Sequence, residues 1–472
     1  MLLVALAALL GSANLSPAAD AADQKTPPSE GRPNILVVTF DTTRADHTSA
    51  YGYVRPTTPS LIKVAADGVR FAAAYAPMAT TLPSHTTMFS GLLPRTHGTL
   101  KNGLPVDPSL PLLSEALRND GYRTAAFLSS FAVSKRFGLQ RGFKLYDDDF
   151  NDGKCKWEVT RWEGMKLDGD FCRRGDLTRA AAVKWLEDSG YLADKSKNDA
   201  STPKEPFFIW IHFFDAHNPY DPPEDQVKMF PPPGDAPSEL ERDIAHYDAA
   251  IHFEDQEMGK LVDRLAEAKR LDDTLVIIAG DHGEGLMDHG WMLHGLQIYE
   301  EAVRVPFVFR WPAKLAKGKT ISDPVELADL TPTILELVGA KMPKGAHAIE
   351  GMSLAAALSG KGTLDAQRPV LIQRRFYAGD AEKGITVKGS KHGIRVGNWK
   401  YIEAKEEDTF ELYDLARDPG EKHNVFDEQK EKRAALATQL QKTLAGVPVG
   451  GTAPRAVSAE DAKKLEALGY VQ

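Results

Sequence analysis

Cysteine is scarce: the 472-residue chain has two, Cys155 and Cys172. So few thiols exclude a disulfide-stapled scaffold and cannot by themselves complete a structural zinc site. Positive charge is also in deficit, because 57 Lys and Arg face 66 Asp and Glu for a net charge of −9. Along the chain the cations are scattered among acids, whereas a protein that tracks a phosphate backbone carries a basic stripe, so no nucleic-acid partner is expected. Past the N-terminus no run is apolar enough to cross a bilayer, so no integral membrane segment is expected either. What is present, 42% hydrophobic and 26% charged residues, is ordinary globular composition and leaves function to local sites. The length implies one large domain with a smaller one appended.

The first residues, MLLVALAALLGSANLSPAAD, form a short apolar run followed by small residues. This reads as a signal peptide over residues 1–22, cut after Ala19 or Ala22, although no Lys or Arg precedes the run. No cysteine follows LLGS for lipidation. The expected location is therefore secreted or periplasmic. A disulfide between Cys155 and Cys172 suits that compartment, and two unlinked thiols are the other reading.

After a polar linker over residues 23–32, NILVVTFD is a β-branched run ending in an acid. RTAAFLSS, PFFIWIHFFDAH, TLVIIAGDHGE and VPFVFRW repeat the pattern, separated by helical stretches such as PSLIKVAADGVRFA, LLSEALRNDG, LTRAAAVKWLEDSG and FEDQEMGKLVDRLAEAKR. Strands alternating with helices predict an α/β domain over residues 33–367 with a mostly parallel sheet covered on both faces. From residue 368 to 472 shorter alternating stretches and a charged helical pattern predict a C-terminal subdomain of antiparallel sheet plus helix, with a tail. Ligands of such parallel sheets bind beyond the carboxyl ends of the strands, where Asp41, Asp215 and Asp281 fall.

Three segments carry the chemistry. In TTLPSHTTMFSG, Thr81 stands at or next to the start of a helix that runs to Gly91, with Pro83 in its first turn. A hydroxyl there meets unpaired N–H groups and the positive end of the helix dipole, which suits an alkoxide and an incoming anion. AGDHGEGLMDHGWMLHG offers Asp281, His282, His289 and His294, and IHFFDAHNPY adds His212, Asp215 and His217. Carboxylates and imidazoles converging at strand ends are ligands for one or two divalent metal ions, zinc or manganese favoured and calcium also compatible. Asp41, Thr81, Asp281 and His282 form the expected first site. His217 and His294, with Asp215 as a third ligand, supply a second ion or a cationic histidine pair.

In order along the chain, PNILVVTFDTTRADHTSAYGY, TLPSHTTMFSGLLPRTHG, IHFFDAHNPYDPP, GDHGEGLMDHGWMLHG and GNWKYI with ELYDLARDPGEKHNV resemble the sulfatase family of the alkaline phosphatase superfamily. The resemblance implies an alkaline-phosphatase-like sandwich of helices around a large sheet, and a hydrolase of anionic esters. The departures are specific. Where sulfatases carry the Cys or Ser of CxPxR that becomes formylglycine, this chain has Thr81, with His85 at the arginine position. Thr42 replaces the usual second Asp, and Asp281–His282 the usual Asp–Asn pair. These changes resemble nucleotide pyrophosphatase/phosphodiesterases and phosphoethanolamine transferases, which use a threonine nucleophile. By that likeness Asn102 holds a phosphoryl oxygen, and His217 and His294 match site histidines. Lys101 is placed against the substrate anion, His97 in a turn, and Arg44 and Asp46 either line the pocket or form a solvent salt bridge.

The leading expectation is an exported metal-dependent hydrolase that cleaves phosphate mono- or diesters through a covalent Thr81 intermediate. Its substrate would be a small-molecule or glycan- or lipid-linked anionic ester. Sulfuric ester hydrolysis on the same site is the alternative. A noncatalytic, glycan-binding relative is the third reading, and it conflicts with the retention of Asp41, Asp281, His282, His217 and His294 together.

Overall fold

In a computed structural model the described residues are 31–150, 172–193, 203–379 and 386–450, with the backbone of 161–162 and 165–166. Eight strands form the central sheet: β1 (Asn34–Phe40), β2 (Val69–Phe71), β3 (Arg123–Leu128), β4 (Leu145–Asp147), β5 (Phe207–Phe213), β6 (Thr274–Gly280), β7 (Phe307–Arg310) and β8 (Lys319–Ile321). Their order is β8-β2-β7-β6-β1-β5-β3-β4, and β7 alone runs against its neighbours. The expected α/β architecture with a mostly parallel sheet is therefore what the chain adopts.

Alternation along the inner strands divides the apolar side chains between two cores. Ile35, Val37, Trp210 and Ile277 face one side, and Leu36, Val38, Ile211 and Ile278 face the other. Helices α1 (Pro59–Ala66), α4 (Gly175–Asp188) and α5 (Glu239–Glu267) cover the second side, and α2 (Thr81–Ser90), α3 (Leu113–Asn119) and α6 (Leu330–Val338) the first. Burial on both faces is why these strands read as continuous apolar runs. One helical expectation needs correction: PSLIKVAADGVRFA stops being helical at Ala66, and Val69–Phe71 is strand β2. Gly68 is the cause, because a Cβ there would collide with the Phe309 carbonyl of the adjoining strand.

The register of the inner strands sets the site. Phe40 pairs with both Phe213 and Gly280, so β1, β5 and β6 end level. Asp41 N donates to Phe213 O at 3.0 Å and Asp281 N to Phe40 O at 3.1 Å, which carries both acids out at one edge.

The smaller sheet is antiparallel, β9 (Val370–Tyr377), β10 (Gly389–Val396), β11 (Trp399–Ala404) and β12 (Thr409–Asp414) in sequence order, with helix α7 (Lys430–Gly446) packed on it through Leu436 and Leu440. Lys400 joins it to the main domain: its fully buried ammonium donates to Glu300 Oε1 at 3.1 Å and Glu421 Oε2 at 3.2 Å. Glu300 also accepts from the Tyr75 hydroxyl at 2.8 Å. Lys400→Met should therefore lower unfolding free energy by roughly 3–5 kcal/mol, because two buried carboxylates lose their cation. Urea denaturation measures it, and a change within experimental error would show that the latch is not structural.

Candidate metal centre

Helix α2 begins at Thr81, and its N-cap is Thr80, whose side chain makes no capping bond. The Thr81 hydroxyl is fully buried and is not used as a cap; its Oγ1 lies 3.3 Å from His282 Nε2. The tautomer of His282 follows from its other contact. Nδ1 is 2.9 Å from the Gly283 carbonyl, which only accepts, so Nδ1 carries the proton and Nε2 presents a lone pair. That nitrogen is 3.7 Å from Asp41 Oδ1 and 3.6 Å from Asp281 Oδ2.

Asp41, Asp281 and His282 are all fully buried, and each offers a ligand atom within 4.8 Å of the other two. Neither oxygen of Asp41 has a hydrogen-bond partner, nor has Asp281 Oδ2. Buried carboxylate oxygens without partners are strongly unfavourable unless a proton or cation meets them. A four-coordinate ion with bonds of ~2.0–2.2 Å has ligand-to-ligand edges of roughly 3.3–3.6 Å. Two of the three distances from His282 Nε2, 3.3 and 3.6 Å, fall in that range and the third, 3.7 Å to Asp41 Oδ1, lies just beyond it, so Asp41, Thr81, Asp281 and His282 fit a cation. Burial raises the Asp41 carboxyl above its ordinary value against the opposing pull of His217, His294 and His85. Burial, and then the neighbouring Asp41, raise Asp281 well above its own.

The supporting contacts are specific. Thr42 adopts a left-handed backbone, φ 51°, unusual for a β-branched residue. This turn aims Thr42 N at Asp281 Oδ1 (3.1 Å), while Thr42 O accepts from the Tyr247 hydroxyl at 2.6 Å. His282 N also donates to Asp281 Oδ1, at 2.7 Å. Gly283 is needed because a Cβ there would strike the Glu301 carbonyl. Arg44 is buried and ion-pairs Asp46 (2.7 Å) and Asp288 (2.6 Å), tying the loop after β1 to the loop after β6. His85 lies below: Nδ1 donates to the Thr81 carbonyl at 2.8 Å, and Nε2 is 3.1 Å from Thr39 Oγ1. Thr39 Oγ1 also lies 3.0 Å from His212 Nδ1 and accepts from Trp210 Nε1 at 3.0 Å. His212 Nε2 is 3.2 Å from Asp41 Oδ2. Burial holds His85 and His212 at about 3, so both rings are neutral near neutral pH.

On the outer side, His294 contacts both His282 and His217, with ring centroids 4.5 and 5.1 Å away. His217 Nδ1 donates to the Asn218 carbonyl at 2.6 Å, and burial brings its pKa down to about 4. His294 differs. Burial alone would lower it, but the Glu284 carboxylate, 3.2 Å from Nδ1, and Asp41 raise it above its ordinary value. Asn102 Oδ1 accepts from Leu82 N at 2.7 Å in the first turn of α2, and its buried Nδ2 has no partner. Lys101 precedes it, half-buried.

Several expected residues sit elsewhere. Asp215 is not in the cluster: its Oδ1 accepts from Gly175 N at 3.0 Å. His289 is taken up by Glu301 (2.7 Å) and the Glu421 carbonyl (3.0 Å). His97 accepts from Thr99 N at 3.1 Å and donates to Thr87 Oγ1 at 3.0 Å, the turn role expected of it. Sequence reasoning missed Glu284 and Thr39. A second acid in GDHGEG and a lone hydroxyl inside an apolar strand were the available signals. Cys172 is disulfide-bonded; Cys155 lies outside the described residues, as do the predicted signal peptide, residues 23–30 of the linker and residues 451–472.

A sulfatase family model matches residues 33–340, and a model of the C-terminal region of N-sulphoglucosamine sulphohydrolase matches 287–448. The chain belongs to the sulfatase family. It is 24% identical to an arylsulfatase of Clostridium perfringens, over 89% of this chain and 96% of that protein. It is 27% identical to arylsulfatase A of Bos taurus, over 87% of each. A solved complex with the substrate D-glucosamine-2-N,6-O-disulfate has the same fold, with a TM-score of 0.71 at 20% identity, covering 88% of this chain and 98% of that one. So has a phosphonate monoester hydrolase of Agrobacterium radiobacter, TM-score 0.70 at 22% identity, covering 88% and 96%. The chain is an ester hydrolase by family, and the family is metal-dependent. The expected phosphate mono- or diester cleavage finds less support in these relatives than the sulfuric ester alternative.

Because Asp41 and Asp281 titrate above the ordinary carboxylate range, protons compete with a cation for their oxygens. Affinity for zinc or manganese in chelator-treated protein should therefore rise with pH and fall on acidification. Asp281→Asn should weaken binding by more than ~100-fold, and Asp215→Asn by far less. Calorimetric titration reads both, and equal losses in the two variants would refute this ligand set.

Proposed function

We propose that the chain is a metal-assisted hydrolase of sulfuric esters, with Thr81 as the attacking group and Asp41, Asp281 and His282 as the residues that hold the cation. The observation that carries this reading is the buried Thr81 hydroxyl, free of capping duty and 3.3 Å from the lone pair of His282 Nε2, beside two partnerless carboxylates. Sulfur is placed first because the curated relatives are sulfatases, acting on aryl, choline and amino-sugar sulfates by their names. A phosphate or phosphonate ester is the second reading, favoured by Thr81 itself. Threonine cannot become formylglycine, and two neighbours of the same fold are phosphonate monoester hydrolases.

When bound, a divalent cation supplies Lewis acidity at the Thr81 oxygen and at the ester oxygens. The chain supplies the rest. His85 and Asn102 fix the first turn of α2, so the Thr81 oxygen is held in place before substrate arrives. Asn102 Nδ2 is a ready donor to an ester oxygen. Attack would form the bond from Thr81 Oγ1 to sulfur or phosphorus and break the bond to the leaving oxygen, while the hydroxyl proton, made acidic by the cation, passes to solvent water. His294, which keeps its proton better than an ordinary histidine, delivers one to the leaving oxygen. Neutral His217 stands beside it to accept a proton from the water that opens the covalent ester. The N-terminal segment and the Cys172 disulfide support a secreted or periplasmic location.

Aryl sulfate, aryl phosphate, phosphodiester and phosphonate monoester substrates should be compared on the metal-loaded enzyme. Sulfate should turn over fastest, Thr81→Ala should lose ~10³-fold or more in kcat, and acid-quenched protein should carry a sulfo or phospho adduct on the peptide containing Thr81. A Thr81→Ala enzyme that keeps its rate would overturn the nucleophile assignment, and a phosphate preference would select the second reading. His294→Gln should slow poor leaving groups by ~10²-fold and activated aryl esters far less.

A further inference from the structure

The cations that are scattered in the sequence converge in the fold. A cleft of about 620 Å³ runs between the loop after α2, the segment around residues 135–141 and the edge of the small sheet. Six cations line it, Arg95, Lys135, Arg136, Arg141, Arg374 and Arg375, against one acid, Asp107. Three of the six are already committed: Lys135 to Asp148, Arg141 to Glu115 and Arg374 to Glu407. Arg95 and Arg375 have no ion-pair partner among the described residues, and Arg95 Nε is buried without a hydrogen bond. Arg375 sits over the Tyr377 ring, its Cζ 3.8 Å from the centroid, a cation–π contact that favours this position of the guanidinium. Burial, then the charge of Arg375, push the Lys101 ammonium below its ordinary value, which adds Lys101 to the cations near this cleft. On a chain of net charge −9 this concentration is local.

The cleft is continuous in sequence with the reaction site. Its wall from His97 to Leu100 leads directly into Lys101 and Asn102, and Tyr377 reaches the carbonyl of Gly295, the residue after His294. Apolar surface lies beside the cations: Leu104, Pro105 and Val106 on one wall, and Phe376, 60% exposed, on the other. Cations alternating with an aromatic platform suit a ring-built polyanion, whose anionic groups meet guanidinium and whose ring faces stack on Phe376.

We propose that this cleft binds further anionic groups of the substrate, so that the enzyme acts on an oligosaccharide carrying more than one sulfate or phosphate rather than on an isolated monoester. This rests on the ester-hydrolase reading above. Full-length metal-loaded protein, wild type and the double variant Arg95→Gln/Arg375→Gln, is titrated with a dextran sulfate oligosaccharide, unsulfated dextran and a single-stranded DNA oligonucleotide, and assayed with a 4-nitrophenyl ester. Wild type should bind dextran sulfate in a salt-dependent manner and ignore dextran. The double variant should lose about tenfold per cation removed, with 4-nitrophenyl ester turnover unchanged within twofold. Phe376→Ala should weaken the saccharide further and leave its salt dependence alone. Unchanged dextran sulfate binding by the double variant overturns the proposal, and so does DNA binding as tight as that of the saccharide. If no 4-nitrophenyl ester is hydrolysed while the double variant still loses dextran sulfate, the ester-hydrolase reading fails and the cleft assignment stands.

Discussion

Two carboxylates buried side by side are the constraint around which this protein is built. Asp41 and Asp281 are fully shielded from water, and three of their four oxygens lack a hydrogen bond. Left alone, such a pair opposes folding through desolvation and mutual repulsion. The parallel strands β1 and β6 nevertheless bring them together, because Phe40 and Gly280 are paired and the chain leaves the sheet at the same level. The arrangement is stable only if positive charge or protons compensate it. The lone pair of His282 and the hydroxyl of Thr81 turn toward the same point, which identifies a cation rather than a proton as the natural partner.

The surrounding residues preserve that geometry against the repulsion. Thr42 holds a strained left-handed turn because its N–H, carbonyl and hydroxyl each have a partner, Asp281, Tyr247 and Ala216 respectively. Arg44 locks the two acid-bearing loops to each other. Glu254, deep on α5, accepts from Ala216 N at 3.0 Å and secures the loop that carries His217. The C-terminal sheet takes part as well, through Lys400, which grips the helix segment that follows the His294 loop.

Much of this was legible in the sequence, for a physical reason. Buried parallel strands are apolar throughout, so an acid immediately after such a run, as at Asp41 and Asp281, announces both a strand end and a ligand site. Thr81 is marked by its place at a helix start and His217 and His294 by loops that follow apolar strands, whereas Asn102 is marked by the family likeness alone. His294 contacts His282 and His217, and Asn102 holds the turn that carries Thr81. Asp215 misled because strand-end position does not fix side-chain direction. It turns toward the start of α4, where Gly175 leaves room for it. Glu284 and Thr39 were not legible, because their importance lies in which buried nitrogen they face, and pairing across the sheet is invisible in one dimension. The basic cleft was hidden for the same reason, since its walls are far apart along the chain.

Thr42 has one more effect. The family pattern places a carboxylate at that position, and here the backbone turn is kept while the acid is gone. A divalent ion held by Asp41, Asp281 and uncharged donors would be balanced in formal charge, where a third acid would leave the ensemble anionic. On the reading proposed above, an incoming anionic ester would meet a floor free of a third negative charge, and the task of attracting it would fall to other groups of the protein.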